Sequence, residues 1–143
     1  MHIDWAVTCR YAESNGVVAT LVGAGVDLLR VAELPGAVGS MVAVRLAGAP
    51  DELGPGQTHL LTVRILDPSG DPVSDPAGNV VPALETEFSS DEPVEQAVPG
   101  WLVSPLFAFG VQSWAAEEGT YTITITIDGG EPHRSPVHVL RGE

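Results

Sequence analysis

Residues Glu117 to Gly130 read Glu-Glu-Gly-Thr-Tyr-Thr-Ile-Thr-Ile-Thr-Ile-Asp-Gly-Gly, and this stretch decides the fold class. In an extended chain, Tyr121 and the three isoleucines that follow it fall on one face, while the threonines fall on the other. Strict alternation of β-branched residues favours a half-buried strand. The Asp-Gly-Gly ending favours a tight turn. The stretch therefore predicts a strand that leads into a hairpin, and it carries no catalytic chemistry.

Seven further stretches carry strand signals. The first is Ile3–Tyr11, whose apolar face is formed by Ile3, Trp5, Val7, Cys9 and Tyr11; an Asn15-Gly16 turn follows it. The range 105–114 is apolar on both faces through Ala108, which predicts a central place in a sheet. The range 26–34 leaves a helical turn and an extended connection open. The other strand candidates are 17–22, 40–46, 58–67, 84–88 and 132–140.

Eight strands separated by turn residues are typical of an antiparallel sandwich. A chain of 143 residues fits one domain, here 1–143, and is long enough to bury a core. We therefore predict an all-β fold, an antiparallel β-sandwich of seven to nine strands with Greek-key connections.

The segment Glu117-x-Gly-x-Tyr121 resembles the corner before strand F of immunoglobulin-like domains. The resemblance implies that the Tyr121 hydroxyl bonds to nearby backbone and that Glu117 and Tyr121 form a structural corner. Ile123 stands where disulfide-bonded members carry cysteine, so a disulfide-free immunoglobulin-like sandwich is implied. A fold of this kind carries no function by itself.

The order of several segments along the whole chain is also familiar. These segments are Trp5-Ala-Val-Thr-Cys-Arg-Tyr-Ala-Glu13, Asn15-Gly16, Val22-Gly-Ala-Gly25, Val31-Ala-Glu-Leu-Pro35, Arg64-Ile-Leu-Asp67, Gly119-Thr-Tyr121 and Ile127-Asp-Gly129. Their order resembles an uncharacterised family of short cytosolic proteins, mostly from actinobacteria, known as a domain of unknown function. The resemblance implies a β-sandwich and supplies no activity or ligand.

The chain contains 19 acidic residues against six basic ones, with a net charge of −13. Nucleic acids and anionic membranes are disfavoured as partners, because binding to either depends on neutralising negative charge with lysine and arginine. No apolar run approaches the length of a membrane span. The one cysteine, Cys9, cannot form an internal disulfide, so we expect a cytoplasmic protein.

No catalytic, cofactor-binding or metal-binding constellation is expected. The four histidines show no metal-ligand spacing and are expected at solvated or edge positions. Cys9 lies on the apolar face of the first predicted strand, where a structural thiol is expected. Val22-Gly-Ala-Gly-Val26 lacks the third glycine of a nucleotide-binding loop. We therefore expect a protein that is not an enzyme and has no cofactor.

Trp101-Leu102-Val103 stands beside an acidic, proline-rich loop and is the candidate interaction surface. Exposed aromatic and apolar residues anchor protein interfaces, whereas the alternative is that Trp101 plugs one end of the sandwich. The leading expectation is a protein-interaction or assembly module that binds a protein partner or itself. The other is a small-ligand or cation-binding domain that uses the acidic loops 49–57 and 89–100.

Overall fold

The structure is a computed structural model that describes residues 1–92, 99–100 and 102–142. These residues form an all-β fold of ten strands with one short 3-10 helix, Pro50–Glu52. In chain order the strands are β1 (His2–Cys9), β2 (Tyr11–Ser14), β3 (Ala19–Val22), β4 (Leu28–Val31), β5 (Gly36–Ala47), β6 (His59–Leu66), β7 (Leu84–Phe88), β8 (Leu106–Ala115), β9 (Gly119–Ile127) and β10 (His133–Arg141).

The strands form two main sheets and a separate hairpin. One sheet has three strands in the order β1-β5-β8, and the other has five in the order β4-β10-β9-β6-β7 and curves into a half-barrel. Neighbouring strands are antiparallel, except that β4 runs parallel to β10. The main core lies between the two sheets, and its buried members are Val42, Val44, Leu46, Leu61, Val63, Val111, Ile123, Ile125, Ile127 and Val137.

The opening stretch forms β9, which is paired with β6 on one side and β10 on the other. Its tyrosine and three isoleucines are buried, while the threonines between them are partly exposed, as the alternation predicts. Beyond Ile127 the chain turns through Asp128 and Gly129, with φ values of 52° and 68°. Positive φ at both central residues makes this a type I′ turn, the kind that joins adjacent antiparallel strands.

The first predicted strand is correct in its position but wrong in its single apolar face. A bulge lies between Ile3 and Trp5, where the pairing with β5 shifts by one residue. Because one extra residue reverses the faces, Ile3 packs against the main core while Trp5, Val7 and Cys9 pack on the opposite side of the sheet. Tyr11, predicted to share this face, begins β2 and is 48% exposed.

The hairpin of β2 and β3 forms a third layer over the outer face of the three-stranded sheet. Ala12 from β2 packs with Cys9 and Ala43, and Leu21 and Ala108 lie against them. The inner face of β8 therefore packs on the main core, and the hairpin covers its outer face near Ala108, while Gly110 and Gln112 stay exposed. The prediction that the 105–114 strand is central is wrong, because β8 stands at the end of its sheet.

All eight predicted strand regions are confirmed, and the described residues contain ten strands where seven to nine were predicted. One additional strand arises because the first candidate breaks at Arg10 into β1 and β2. The other is β4, a four-residue strand in the range that the sequence left open. It is extended because its backbone pairs with β10, which periodicity within the segment does not reveal.

Candidate interaction surface

The corner before β9 is closed by the Tyr121 side chain, which is 3% exposed. Its hydroxyl donates to the Glu117 carbonyl oxygen at 3.1 Å and accepts the Ala116 N–H at 3.1 Å. The Glu117 N–H also points at this hydroxyl, at 3.4 Å. Glu117 takes part through its backbone, so any residue with the same backbone path serves at that position. These hydrogen bonds tie the corner together.

A buried histidine links β6 to the β9–β10 turn. His59 Nδ1 lies 2.7 Å from Asp128 Oδ2, and Nε2 lies against the Glu52 carbonyl oxygen. Acceptors at both ring nitrogens require the doubly protonated ring. Burial lowers the pKa of His59, but the hydrogen bonds to Glu52 and Asp128 outweigh it and raise this pKa above its usual value. His59 is thus a structural tie, contrary to the expectation of four solvated or edge histidines.

Of the predicted interaction residues, Trp101 lies outside the described residues. Leu102 is 46% exposed, whereas Val103 is 4% exposed and exchanges backbone hydrogen bonds with Gly48. Leu102 lines an open groove of about 770 Å³ together with Val17, which is 82% exposed at the tip of the β2–β3 hairpin. The groove therefore exposes the apolar side chains of Val17 and Leu102, and Val103 forms part of its wall.

The acidic loops bring no metal ligands together in the part of the chain that the structure describes, where no group of three or more His, Cys, Asp or Glu side chains could hold a metal ion. In the loop 49–57, Glu52 Oε2 accepts the Ala49 N–H at 2.7 Å, and Oε1 accepts the Met1 amino group. Both carboxylate oxygens of Glu52 are thus already bonded. Residues 93–98 of the loop 89–100 lie outside the described residues.

Cys9 sits between β1, β5 and the hairpin, with 0% exposure. Its thiol lies 3.6 Å from the Met41 carbonyl oxygen, and burial raises its pKa. A buried thiol with a raised pKa is a poor nucleophile, as expected for a structural cysteine.

The outer edge of β8 has no neighbouring strand among the described residues. The Pro105 carbonyl accepts the Leu46 N–H and so faces β5, while the Leu106 N–H donates away from β5 to the Gly16 carbonyl. Since successive residues of a strand face opposite edges, the outward backbone groups beyond Leu106 belong to Ala108, Gly110, Gln112 and Trp114. Among the described residues, none of these outward groups has a hydrogen-bond partner.

A buried hydroxyl lies beside this edge. Ser113 is 5% exposed, and its Oγ is without a hydrogen-bond partner among the described residues. Native structures rarely leave such groups unpaired, since the cost is about 1–3 kcal/mol. Ser113 lines a cleft of about 350 Å³ between Gly110–Ser113 of β8 and the segment Val81–Leu84, with Val63–Ile65 of β6 at its base. We call this space the edge cleft.

The other edges of the two main sheets carry protective features, whereas the described residues cover the β8 edge only at Leu106, through Gly16 and Ser14. On β1, the Thr8 carbonyl accepts the N–H groups of Gly25 and Val26. β4 has only four residues, and β7 carries two glutamates in five residues. Short edges, charges and covering loops all block pairing with foreign strands. β8 has ten residues, with neither a charge nor a proline.

Sequence reasoning missed the β8 edge and Ser113. Two signals were present: a hydroxyl at an inward position after Phe107, Phe109 and Val111, and a strand of ten residues without charge. Neither signal specifies an edge by itself, because edge position follows from the order of strands in the sheet.

The family of the chain follows from its sequence over nearly its full length. Residues 4–140 match the model of a "Family of unknown function (DUF6941)". The chain belongs to this family. No curated protein matches the chain. Among the described residues, no helix has the length and hydropathy that crossing a bilayer demands.

Proposed function

We propose that this protein is a non-enzymatic interaction module that binds an extended segment of a partner polypeptide along the edge of β8. One observation carries the proposal: among the described residues, the outward backbone groups of the uncharged β8 edge beyond Leu106 are unpaired, and this edge lies beside the buried Ser113 hydroxyl, which also has no described partner. An added strand supplies donors and acceptors at the spacing that such an edge requires. The side-chain positions beside the edge cleft would then give selectivity.

An immunoglobulin-like strand order supports this proposal and is part of it. In such domains one sheet runs A-B-E-D, and the other contains G, F and C, with C′ added beside C in variable-type members. We assign β1-β5-β8 to A-B-E and β10-β9-β6-β7 to G-F-C-C′, and the Tyr121 hydroxyl bonds match the tyrosine corner before strand F. The outer edge of β8 is then the place where strand D pairs with strand E.

Amide hydrogen exchange tests the proposal directly. The amides of Gly110, Gln112 and Trp114 should exchange quickly in the isolated protein and slowly once a partner is bound. The partner is captured from the host, purified and added back to labelled protein. If these amides are already slow in isolation, another part of the chain covers the edge and the proposal is wrong. It is also wrong if the purified partner binds but leaves them fast.

The groove between Val17 and Leu102 is a second candidate surface, favoured by the exposure of both side chains. Here we propose self-association, since exposed apolar patches promote contacts between copies. Leu102→Ser should lower the sedimentation coefficient of any oligomer without changing thermal stability. Val80→Ser is the matched control, because Val80 is equally apolar and 61% exposed outside the groove. An oligomer that persists in Leu102→Ser excludes this surface.

The cation-binding alternative requires carboxylates beyond those already bonded in the loop 49–57. A specific site would raise the melting temperature by mass action, so melts with and without millimolar calcium discriminate between the two functions. We expect no shift. A cytoplasmic location also belongs to the proposal, supported by a single, buried cysteine.

A further inference from the structure

The seam between β7 and β8 changes character along its length. Aromatic rings close its first part: Phe88 of β7 packs on Phe107 of β8 with ring centroids 4.8 Å apart, and Phe107 stacks with Phe109 at 5.9 Å. The next inward residues of β8 are Val111 and Ser113, and both line the edge cleft. The cleft therefore begins where the row of aromatic side chains along β8 ends.

The edge cleft has apolar walls and a polar inner end. The segment Val81–Leu84 and the inward side chains of Val63 and Ile65 are apolar, whereas the buried Ser113 Oγ has no partner among the described residues. Gly110 and Gln112 line the cleft at exposed positions and mark its mouth. A group that enters the cleft thus meets apolar side chains along its length and a hydroxyl at its far end.

The charge of the cleft favours a neutral group. No acidic residue lines it, and its one basic residue, Arg64, alternates with the inward-facing Val63 and Ile65. The Arg64 side chain therefore projects from the outer face of the sheet. A charged group at the inner end would lose its hydration without an opposite charge to compensate, which is costly.

We infer that the edge cleft binds a phenol group, supplied by a tyrosine of the bound segment, with the ring between the apolar walls and the hydroxyl bonded to Ser113 Oγ. This inference rests on the proposed function and names the side chain that selects the segment. Tyrosine combines an apolar body with a polar tip, and its hydroxyl usually has a hydrogen-bond partner when it is buried. Two hydroxyl groups can pair, since each both donates and accepts.

Size and the position of the polar atom distinguish tyrosine from other neutral side chains. The cleft measures about 350 Å³, and an apolar cavity of about 150 Å³ already binds benzene, so a ring fits. Phenylalanine would leave the Ser113 hydroxyl unpaired, which native structures rarely allow. Serine and threonine could bond to it, but their short side chains would leave the apolar walls uncovered.

The first test uses p-cresol and toluene, the side chains of tyrosine and phenylalanine, with the full chain. We expect p-cresol to shift the NMR resonances of the Val63 and Val111 methyl groups and of the Ser113 amide. It should bind about fivefold more tightly than toluene, since one hydrogen bond distinguishes the two probes. Equal affinity of the two probes overturns the inference. It is also overturned if neither probe shifts these resonances, because the cleft would then be closed in solution.

Ser113→Ala decides whether the preference arises at the inner end of the cleft. This variant should bind p-cresol and toluene with equal affinity, because the ring keeps its walls while the hydroxyl loses its partner. Ser69→Ala is the matched control, since Ser69 is exposed in the turn after β6, and it should keep the fivefold preference. A preference that survives in Ser113→Ala places the hydroxyl elsewhere and overturns the inference.

A peptide joins the phenol to strand pairing and separates the two ideas. The probe is the neutral acetylated peptide Thr-Val-Thr-Tyr-Thr-Val-Thr, with an analogue that carries phenylalanine in place of tyrosine. We expect the tyrosine peptide to bind severalfold more tightly and to slow exchange of the Gly110 and Gln112 amides. If both peptides slow these amides with equal affinity, the phenol site is wrong and strand pairing stands. If the tyrosine peptide binds in the cleft and leaves these amides fast, strand pairing is wrong and the phenol site stands.

Discussion

β8 and β9 are consecutive strands of similar length and hydrophobicity, yet they have opposite surroundings. β9 lies inside a five-stranded sheet, with β6 and β10 on its two sides. Tyr121 fixes its start, and Asp128 ties the turn after its end to the first residues of β6. Among the described residues β8 pairs with β5 alone; its inner face packs on the core, and its outer face is covered by the β2–β3 hairpin near Ala108 but exposed at Gly110 and Gln112.

The difference teaches that apolar residues on both faces indicate cover on both faces and do not indicate a neighbour at both edges. Side chains project above and below a sheet, whereas backbone hydrogen bonds lie within its plane. The pattern of apolar residues in the sequence therefore indicates directly which faces of a strand are covered. It indicates whether an edge is paired only through protective features such as charges and proline. β9 is thus scaffold, whereas no other described strand pairs with the outer edge of β8.

The largest expected change in stability comes from truncating a core side chain of β9. Ile125 is fully buried between the sheets, so Ile125→Ala should lower the free energy of unfolding by about 2–5 kcal/mol through lost burial and the cavity left behind. Urea denaturation measures the change. Gln112→Ala on the exposed face of β8 should stay within about 0.5 kcal/mol of wild type. If the two variants lose similar stability, the contrast between the two strands is wrong.

Removing the Tyr121 hydroxyl should have the next largest effect. Tyr121→Phe keeps the buried ring but leaves the Glu117 carbonyl and the Ala116 N–H without their partner. The expected loss is about 1–2 kcal/mol, again measured in urea. Tyr11→Phe is the matched control, because that hydroxyl donates to the exposed Glu13 carboxylate. A Tyr121→Phe variant as stable as wild type would show that packing alone holds the corner.

The resemblance of Glu117-x-Gly-x-Tyr121 to immunoglobulin-like domains implied this corner, and it was recognisable because the motif is local: Glu117 and Tyr121 lie four residues apart. The strands were predictable for the same reason, since each follows from alternation within a few residues. Strand order was not predictable, because it depends on contacts between distant segments such as Leu28 with His138. The bulge between Ile3 and Trp5 was not predicted, because a bulge is a shift in the pairing with another strand, here β5. The candidate site was not predicted either, because whether a strand lies at an edge depends on which other strands pair with it.

Ser113→Ala should act in the opposite direction and make the protein more stable. The substitution removes a buried hydroxyl that has no partner in the part of the chain that the structure describes, and the expected gain is about 1 kcal/mol. Ser14→Ala is the matched control: its Oγ donates to the Leu106 carbonyl oxygen at 2.8 Å and accepts the Gly16 N–H at 3.0 Å, so its loss should cost up to about 1 kcal/mol. A loss of stability in Ser113→Ala would mean that Ser113 is satisfied in solution, and the edge cleft would lose its polar anchor.

The smallest effect concerns the far end of β9 and depends on pH. Because the folded state raises the pKa of His59, its contribution to stability is complete below the unfolded value of about 6.5 and is lost as pH rises through the higher folded value. Hydrogen bonding with His59 outweighs burial and lowers the pKa of Asp128, so that contribution is present above the unfolded value of about 3.9 and is lost at more acidic pH.

The pair should therefore stabilise the β9–β10 turn most between about pH 4 and 6.5, and urea midpoints should fall from pH 6 to pH 8. His59→Gln should flatten this slope, and His2→Asn, at an exposed position, should keep it. Titration of the imidazole by NMR provides a direct check, with a midpoint for His59 above about 6.5. A midpoint below that value would mean that burial outweighs the two hydrogen bonds. His59 would then be a neutral ring, and β9 would depend on Tyr121 and its two neighbouring strands alone.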